Sequence, residues 1–318
     1  MTSALKKPLA MVLLGPTASG KSAMSLELAA HYPVEIISMD SALVYRGMDI
    51  GSAKPTEEER RVCPHHLIDV RDIGDPYSAA DFVTDTVRLV GEIRERGRIP
   101  LIVGGTMLYY KALAEGLHDM PSTDPAIREA ILQEGLERGW PAMHEKLAAV
   151  DPTTAARLAP NDSQRISRAL EVYAMTGKTL SSYHAEQIKQ PILPYHVAGL
   201  MLQDRKVLHA RIAERFQLML EQGFLDEVRT LMARPDFDAE SPAMRAVGYR
   251  QAIQYLTGEV TYEEFVNAGI AATRQLAKRQ MTWMRGMEGL TLIDPMEEGA
   301  KAALDATFQV VVQAFEGR

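Results

Sequence analysis

The sequence predicts an α/β fold, in which a parallel sheet is flanked by helices, and two features indicate it. Strand-like runs occupy residues 9–14, 34–38, 99–103 and 196–202, and the first of them is continuously apolar, as is typical of a strand buried on both faces. Longer stretches with apolar residues at helical spacing, such as 77–96 and 205–222, separate or follow these runs. Strands that alternate with helices predict a parallel sheet, because each crossover places a helix on one sheet face.

The first apolar run leads into a glycine-rich loop that fits the phosphate-binding pattern G-x-x-x-x-G-K-[ST] at every fixed position. Helix-compatible residues follow the loop, so it joins a strand to a helix. Glycines let backbone N–H groups close around phosphate oxygens, and the helix N-terminus adds positive partial charge. The lysine adds a mobile charge, and the serine offers a hydroxyl to Mg²⁺. The loop, predicted to bind a di- or triphosphate, consists of Gly15, Pro16, Thr17, Ala18, Ser19, Gly20, Lys21 and Ser22.

The middle of the chain has a different character. Strand-like runs disappear between about residues 117 and 194. Short helices are predicted there at residues 124–138, 141–150 and 161–176. We therefore predict a P-loop NTPase-like α/β core formed by residues 1–116 and 195–318, with a mostly helical insertion domain at 117–194.

Two polar residues follow predicted strands. Asp40 comes after the second run and begins a stretch without a clear period, 40–55, which is predicted to be a long loop. Thr106 follows the third run and two glycines, at the start of a predicted helix. In an open parallel sheet, ligands bind outside the carboxyl ends of the strands. A carboxylate there can accept a proton or hold a metal through water, whereas the alternative for both residues is a cap of a turn or helix.

Basic residues recur on predicted helices. Arg211 and Arg215 share one helix face, which could clamp a phosphate leaving group or pair with surface glutamates such as Glu214. Residues 274–285 interleave basic side chains with an aromatic one, a composition that favours phosphate contact and base stacking. The same composition is also typical of an ordinary basic helix with a buried tryptophan. A further helix face, at 165 and 168, carries two arginines, for which a solvated surface is the simpler interpretation.

The composition is that of a soluble globular protein, with 46% hydrophobic and 24% charged residues among 318. No apolar run is long enough to span a membrane. Cys63 is the only cysteine, which excludes an intrachain disulfide and fits a reducing cytoplasm. Adjacent His65 and His66 are predicted to be structural, because neighbouring side chains on a strand point to opposite faces. The net charge of −7 argues mildly against a nucleic-acid partner, although local basic faces decide such binding.

The order of the motifs resembles the tRNA isopentenyltransferase family, whose bacterial members are tRNA dimethylallyltransferases. The resemblance covers nearly the whole chain, and its most specific part is the segment 40–55. The segments that carry it are 15–22, 40–55, 65–69, 104–109, 164–168, 247–250 and 278–280.

The resemblance implies that a dimethylallyl group is transferred from dimethylallyl diphosphate to N6 of adenine 37 in tRNAs that read codons beginning with U. Diphosphate leaves in this reaction. Asp40 would accept the proton of N6, while Lys21, the loop amides, Mg²⁺ and Arg215 would stabilise the departing charge. Thr106 would contact diphosphate or the flipped adenine. Ser22 and, through water, Asp40 would hold the Mg²⁺ ion.

The resemblance also implies a surface for the anticodon stem-loop of tRNA. The expected protein is a cytoplasmic monomer with no membrane partner. The residues implied in tRNA binding are Asp40, Ser41, Ala42, Leu43, Thr106, Arg128, Gln164, Arg165, Ile166, Ser167, Arg168, Arg245, Val247, Gly248, Tyr249, Arg250, Lys278, Arg279, Gln280, Trp283 and Arg285.

Two other functions fit parts of the sequence. A P-loop kinase of a small molecule or nucleoside would share the first strands and the loop, and Asp40 could serve as its base. The basic block around Trp283 and the helical insertion favour the transferase over such a kinase. An NTP-dependent RNA-binding switch would need an acidic metal ligand after a later strand, where this chain has Gly104 and Gly105.

Overall fold

The computed structural model describes residues 7–116, 124–186 and 189–317. The chain divides into two compact units, one formed by Met1–Ala114 and Pro191–Arg318 and the other by Glu115–Gln190. The division therefore falls close to the predicted limits of residues 117 and 194.

The larger unit is organised around a six-stranded sheet in which every strand pair is parallel. The strands are β1 (Ala10–Leu14), β2 (Val34–Met39), β3 (His65–His66), β4 (Ile99–Gly104), β5 (Tyr195–Leu200) and β6 (Thr291–Ile293). Their order across the sheet is β3-β2-β4-β1-β5-β6. The predicted fold class, a parallel sheet flanked by helices, is confirmed.

Helices fill most of the remaining described chain. They are α1 (Lys21–His31), α2 (Glu57–Val62), α3 (Ala79–Glu95), α4 (Met107–Glu115), α5 (Pro125–Arg138), α6 (Trp140–Val150), α7 (Pro152–Ala155), α8 (Ser163–Thr176), α9 (Leu180–Glu186), α10 (Arg205–Glu221), α11 (Phe224–Met232), α12 (Tyr249–Leu256), α13 (Tyr262–Arg285) and α14 (Ala300–Glu316).

Both faces of the sheet are covered. Val12 and Leu14 of β1 belong to the core on the side of α3, α10 and α13, while Met11 and Leu13 belong to the core on the side of α1 and α14. All five residues of β1 are fully buried. This two-sided burial explains why β1 is a continuous apolar run in the sequence and shows no alternation.

Gly104 at the end of β4 permits close packing of β4 against β2. A Cβ atom there would lie only 2.0 Å from the carbonyl oxygen of Met39, its partner in the strand register. The two strand ends are therefore held together directly beneath the residues that follow them, Asp40 and Thr106.

Helix α12 begins at Tyr249, after a series of turns. Residues 241–247 form turns, and Gly248 precedes the helix with a φ of +94°, a conformation that favours glycine. Apolar residues continue through these turns, so the apolar spacing alone does not mark where the backbone becomes helical.

The smaller unit contains α5 to α9 and has its own hydrophobic core. Ile131, Met143, Leu147, Ile166 and Leu170 form the centre of that core. Within the three described ranges, no helix combines the length and apolarity needed to cross a membrane.

Candidate active site

A cavity of about 1230 Å³ opens in the larger unit beyond the ends of β1, β2 and β4. It is lined by loop residues 17–22, which follow β1, by Asp40 after β2 and by Thr106 after β4. Because the three strands are parallel neighbours, their carboxyl ends meet at one edge of the sheet. The convergence expected from the sequence is therefore present in the structure.

The phosphate loop wraps around the ammonium group of its own lysine. Lys21 Nζ donates hydrogen bonds to the carbonyl oxygens of Gly15, at 2.7 Å, and of Pro16, at 2.8 Å. Burial lowers the pKa of the Lys21 ammonium to about 8, and Asp40 opposes this shift while Arg215 adds to it. These influences place Lys21, Asp40 and Arg215 within electrostatic reach of one another.

Asp40 caps a turn and also lines the cavity. Its Oδ1 atom accepts a hydrogen bond from the backbone N–H of Ala42 at 2.8 Å, so the residue caps the turn that begins the long loop. No described residue donates a hydrogen bond to the other carboxylate oxygen. The two interpretations of Asp40, cap and reactive carboxylate, are therefore compatible, because one oxygen serves the turn while the residue lines the cavity.

Thr106 stabilises the start of α4 through its backbone rather than its side chain. Its carbonyl oxygen accepts from the N–H groups of Tyr109 and Tyr110. Its Oγ1 atom instead accepts a hydrogen bond from the N–H of Ser41 at 3.0 Å. The side chain thus ties the end of β4 to the turn that carries Asp40, next to the cavity.

Arg211 and Arg215 of α10 both line the cavity, as expected for a pair that faces phosphate. The guanidinium of Arg211 lies near the loop, since its Nη2 atom would be 3.6 Å from a Cβ atom placed on Gly20. Burial lowers the pKa of Arg215, Asp40 opposes the shift, and Arg211 reinforces it. The alternative, surface pairing with Glu214, is not observed among the ion pairs of the described residues.

The donor set for a metal is sparse. No group of three or more acidic, histidine or cysteine side chains suited to a metal occurs in residues 7–116, 124–186 and 189–317. Ser22 is exposed at the cavity and Asp40 supplies one carboxylate. Because Mg²⁺ commonly binds one or two protein oxygens together with substrate phosphates and water, this set fits Mg²⁺ when a diphosphate supplies further oxygens.

Many residues implied in tRNA binding are accessible in the larger unit. Ser41, Ala42 and Leu43 line the cavity beside Asp40. Trp283 is 43% exposed, and the Lys111 ammonium lies 6.0 Å from its ring centre. The other exposed side chains of this set are Arg245, Arg250, Lys278, Arg279 and Arg285, and Val247 is half-buried.

Three members of the same set face the protein interior. Gly248 is buried, and Tyr249 is fully buried with its hydroxyl donating to Glu227 at 2.6 Å. Gln280 is 8% exposed and uses its amide within the protein. All three border the cavity, but as buried parts of its wall they expose little surface to an RNA.

The smaller unit divides its predicted residues in the same way. Arg128, Gln164 and Arg165 are exposed, and Arg168 is half-buried. Ile166 and Ser167 are buried, so their side chains are unsuited to RNA contact. The three arginines each pair with an acidic group: Arg165 with Asp162 at 2.9 Å, Arg168 with Glu171 at 3.4 Å and Arg128 with Glu171 at 3.9 Å.

Glu227 of α11 is a positioning group that the sequence did not reveal. Its carboxylate accepts hydrogen bonds from three successive backbone N–H groups, those of Asp49, Ile50 and Gly51, at 2.9, 2.6 and 3.1 Å. Gly51 and the residues after it line the cavity. No local sequence pattern predicts this contact, because Glu227 lies 178 residues from Asp49 along the chain.

Lys54 is the second such group. Its buried ammonium pairs with Asp49 at 2.7 Å and with Asp69, and it donates to the carbonyl oxygen of Tyr45 at 2.8 Å. A buried lysine with this many acceptors fixes the path of the long loop. The family-specific segment 40–55 is thus held by side chains inside and outside it.

Comparisons with known proteins agree with this geometry. A family model described as IPP transferase matches residues 43–287. The chain is similar to the tRNA dimethylallyltransferase of Paraburkholderia phymatum, with 56% identity over 304 residues that cover 94% of this chain and 96% of that protein.

Solved structures show the same similarity. The full-length tRNA isopentenylpyrophosphate transferase from Bacillus halodurans has 36% identity and a TM-score of 0.69, and the match covers 98% of both chains. A eukaryotic dimethylallyltransferase acting on tRNA has 27% identity and a TM-score of 0.79, over 97% of this chain and 80% of that one.

Proposed function

Because this chain belongs to the IPP transferase family, we propose that it transfers a dimethylallyl group from dimethylallyl diphosphate to N6 of adenine 37 in tRNA. Diphosphate is released, and the modified adenine lies next to the anticodon of tRNAs that read codons beginning with U. The observation that carries the proposal is a single cavity that combines a carboxylate, Asp40, with a phosphate loop and two arginines, Arg211 and Arg215.

The carboxylate of Asp40 would compensate for the low nucleophilicity of adenine N6. The lone pair of adenine N6 is delocalised into the ring, so N6 attacks carbon effectively only as it loses a proton. Asp40 would accept that proton while the new N6–C bond forms and the allylic C–O bond breaks. The hydrogen bond from Ala42 and the bridge from Thr106 to Ser41 hold the carboxylate in place for this transfer.

The cationic groups would stabilise the diphosphate leaving group. Breaking the allylic C–O bond places two electrons on the diphosphate, and stabilising this charge lowers the barrier. Lys21, Arg211 and Arg215 surround the place that the loop provides for phosphate. Mg²⁺, when bound, would neutralise further diphosphate charge, with Ser22 and, through water, Asp40 as its protein-side holders.

The RNA would approach the exposed basic surface at the rim of the cavity. Arg245, Arg279 and Trp283 line the cavity and are exposed, which suits contact with phosphates and stacking on a base. The adenine must leave its stack to reach Asp40. We propose that the protein acts as a monomer.

A paired assay distinguishes this function from the kinase. One reaction contains Mg²⁺, labelled dimethylallyl diphosphate and an unmodified anticodon stem-loop with adenine 37, and the other contains γ-labelled ATP, the same RNA and common small-molecule acceptors. We expect label in RNA from the first reaction alone. Label transferred only from ATP would overturn the proposal and favour the kinase.

A further inference from the structure

One side chain joins the phosphate loop to the end of β4. The amide oxygen of Gln280, on α13, accepts a hydrogen bond from the backbone N–H of Thr17 at 3.0 Å. The amide nitrogen of the same residue donates to the carbonyl oxygen of Gly105 at 2.8 Å. Gln280 therefore uses its donor and its acceptor on two different elements of the site.

The backbone at Gly105 approaches this amide closely. A Cβ atom on Gly105 would lie 2.5 Å from Gln280 Nε2 and 2.8 Å from the carbonyl oxygen of Gly15. That carbonyl also accepts the hydrogen bond from Lys21. Gly105 is thus required for the close approach of α13 to the loop, and the amide lies where the loop, β4 and α13 meet.

The two hydrogen bonds of Gln280, which we call the Gln280 bridge, also affect which backbone N–H groups of the loop point towards the protein. Thr17 directs its N–H at Gln280, and Ser19 directs its N–H at the carbonyl oxygen of Pro16 at 3.2 Å. Phosphate must therefore be bound by the amides nearer the start of α1, around Gly20 and Lys21. The position of the loop relative to Gly105 fixes the distance from those amides to the neighbouring Thr106.

The exposed side of α13 carries different chemistry. Lys278, Arg279 and Trp283 are exposed. Arg279 and Trp283 line the cavity together with the buried Gln280. Gln280 is adjacent to Arg279 in sequence but is 8% exposed. Arg279 therefore faces solvent, whereas its neighbour Gln280 faces the phosphate loop.

We propose that Gln280 is a positioning residue for the diphosphate site and makes no contact with RNA. It holds the phosphate loop at a fixed distance from the end of β4, so that the diphosphate and the reacting centre near Asp40 and Thr106 keep their relative placement. The reaction it serves rests on the proposed function, whereas its effect on diphosphate binding does not.

The test compares two substitutions that change the same amide to a carboxylate on one helix. In Gln280→Glu, one carboxylate oxygen can still accept the hydrogen bond from the N–H of Thr17. The other oxygen replaces the amide nitrogen, so it cannot donate to the carbonyl oxygen of Gly105 and instead faces it. Gln275→Glu, at an exposed position of α13, is the matched control. Binding of inorganic diphosphate is measured by calorimetry, binding of an anticodon stem-loop by filter retention, and thermal unfolding by circular dichroism.

We expect Gln280→Glu to weaken diphosphate binding by about tenfold or more, since a buried bridge is lost and a carbonyl is left without its donor. Stem-loop affinity should stay within about twofold of the control variant, because both proteins carry the same added charge. Gly105→Ala, which retains Gln280 but displaces it, should produce the same selective loss of diphosphate affinity.

Three results would overturn the inference. Selective loss of stem-loop affinity would make Gln280 an RNA contact. Equal loss of both affinities with a lower melting temperature would make its role purely structural, and unchanged diphosphate binding in both variants would remove the bridge from the site. A protein that binds diphosphate in this Gln280-dependent way but transfers no dimethylallyl group would refute the proposed function alone.

Discussion

The affinity for dimethylallyl diphosphate should fall as the pH rises from 7 to 9, because Lys21 loses its proton in this interval. Burial lowers the pKa of its ammonium from 10.5 to about 8, and the opposing effect of Asp40 is insufficient to restore it. A group with that pKa is protonated in about nine molecules of ten at pH 7 and in about one of ten at pH 9.

The size of the effect follows from this titration. If only the ammonium form binds diphosphate, the dissociation constant rises about tenfold between pH 7 and pH 9, which corresponds to about 1.4 kcal/mol. The sign is fixed by the ligand, since an anion favours the charged form of Lys21 and raises its pKa in the complex. Binding at pH 8.5 should therefore be accompanied by proton uptake.

Calorimetry at constant ionic strength, without RNA, measures both quantities. The ligand contributes little to the pH dependence, because the second pKa of a phosphate monoester is about 6. Lys21→Arg is the matched control, since a guanidinium keeps its charge over the whole range and should give a flat profile. Proton uptake is obtained from buffers that differ in ionisation enthalpy.

A dissociation constant that stays the same from pH 7 to pH 9 would refute this reasoning. It would mean that Lys21 keeps its proton throughout or that its ammonium remains on the carbonyl oxygens of Gly15 and Pro16, where the structure places it. A decline that persists in Lys21→Arg would assign the pH dependence to another group.

Three further substitutions test the other parts of the site. Asp40→Asn should lower the single-turnover rate by about 10²- to 10⁴-fold through loss of the base while leaving stem-loop affinity intact, and equal losses in both would make Asp40 structural or an RNA contact. Arg279→Ala should weaken stem-loop binding and reduce the slope of log affinity against log salt by about 1, whereas unchanged binding would exclude this face of α13 from the interface. Glu227→Gln should lower kcat/KM by about fivefold or more, because a carboxylate that accepts three backbone N–H groups orders the wall of the cavity. Asp226→Asn, at an exposed neighbouring position, should leave kcat/KM near the native value, and an equal fall in both variants would contradict the role of Glu227.

The strands were predictable for a physical reason, and their order in the sheet was not. β1 is buried on both faces, so its apolar run is uninterrupted and stands out from the amphipathic helices. The placement of β4 between β2 and β1 depends on where each crossover docks, and no run of residues encodes that directly. Short helices such as α2 were also missed, since none of its six residues is buried and it has no apolar face to detect.

The polar centre of the site was predictable because one rule applies to all parallel sheets. Asp40 and Thr106 follow strands, and the carboxyl ends of parallel strands share one edge. Glu227 follows no such rule. It acts on Asp49 from 178 residues away, so only the folded chain brings the carboxylate to the loop amides.

Residues 278–280 form one sequence motif, but they lie on different sides of α13 and therefore have different roles. Successive residues of an α-helix are separated by about 100° around its axis, so Lys278, Arg279 and Gln280 cannot all face one ligand. On α13 the two cations are exposed and Gln280 is buried against the phosphate loop. A mutation in this motif should therefore affect either RNA affinity or diphosphate affinity according to the face it alters. The Arg279→Ala and Gln280→Glu variants, measured with both ligands, should show opposite selectivities.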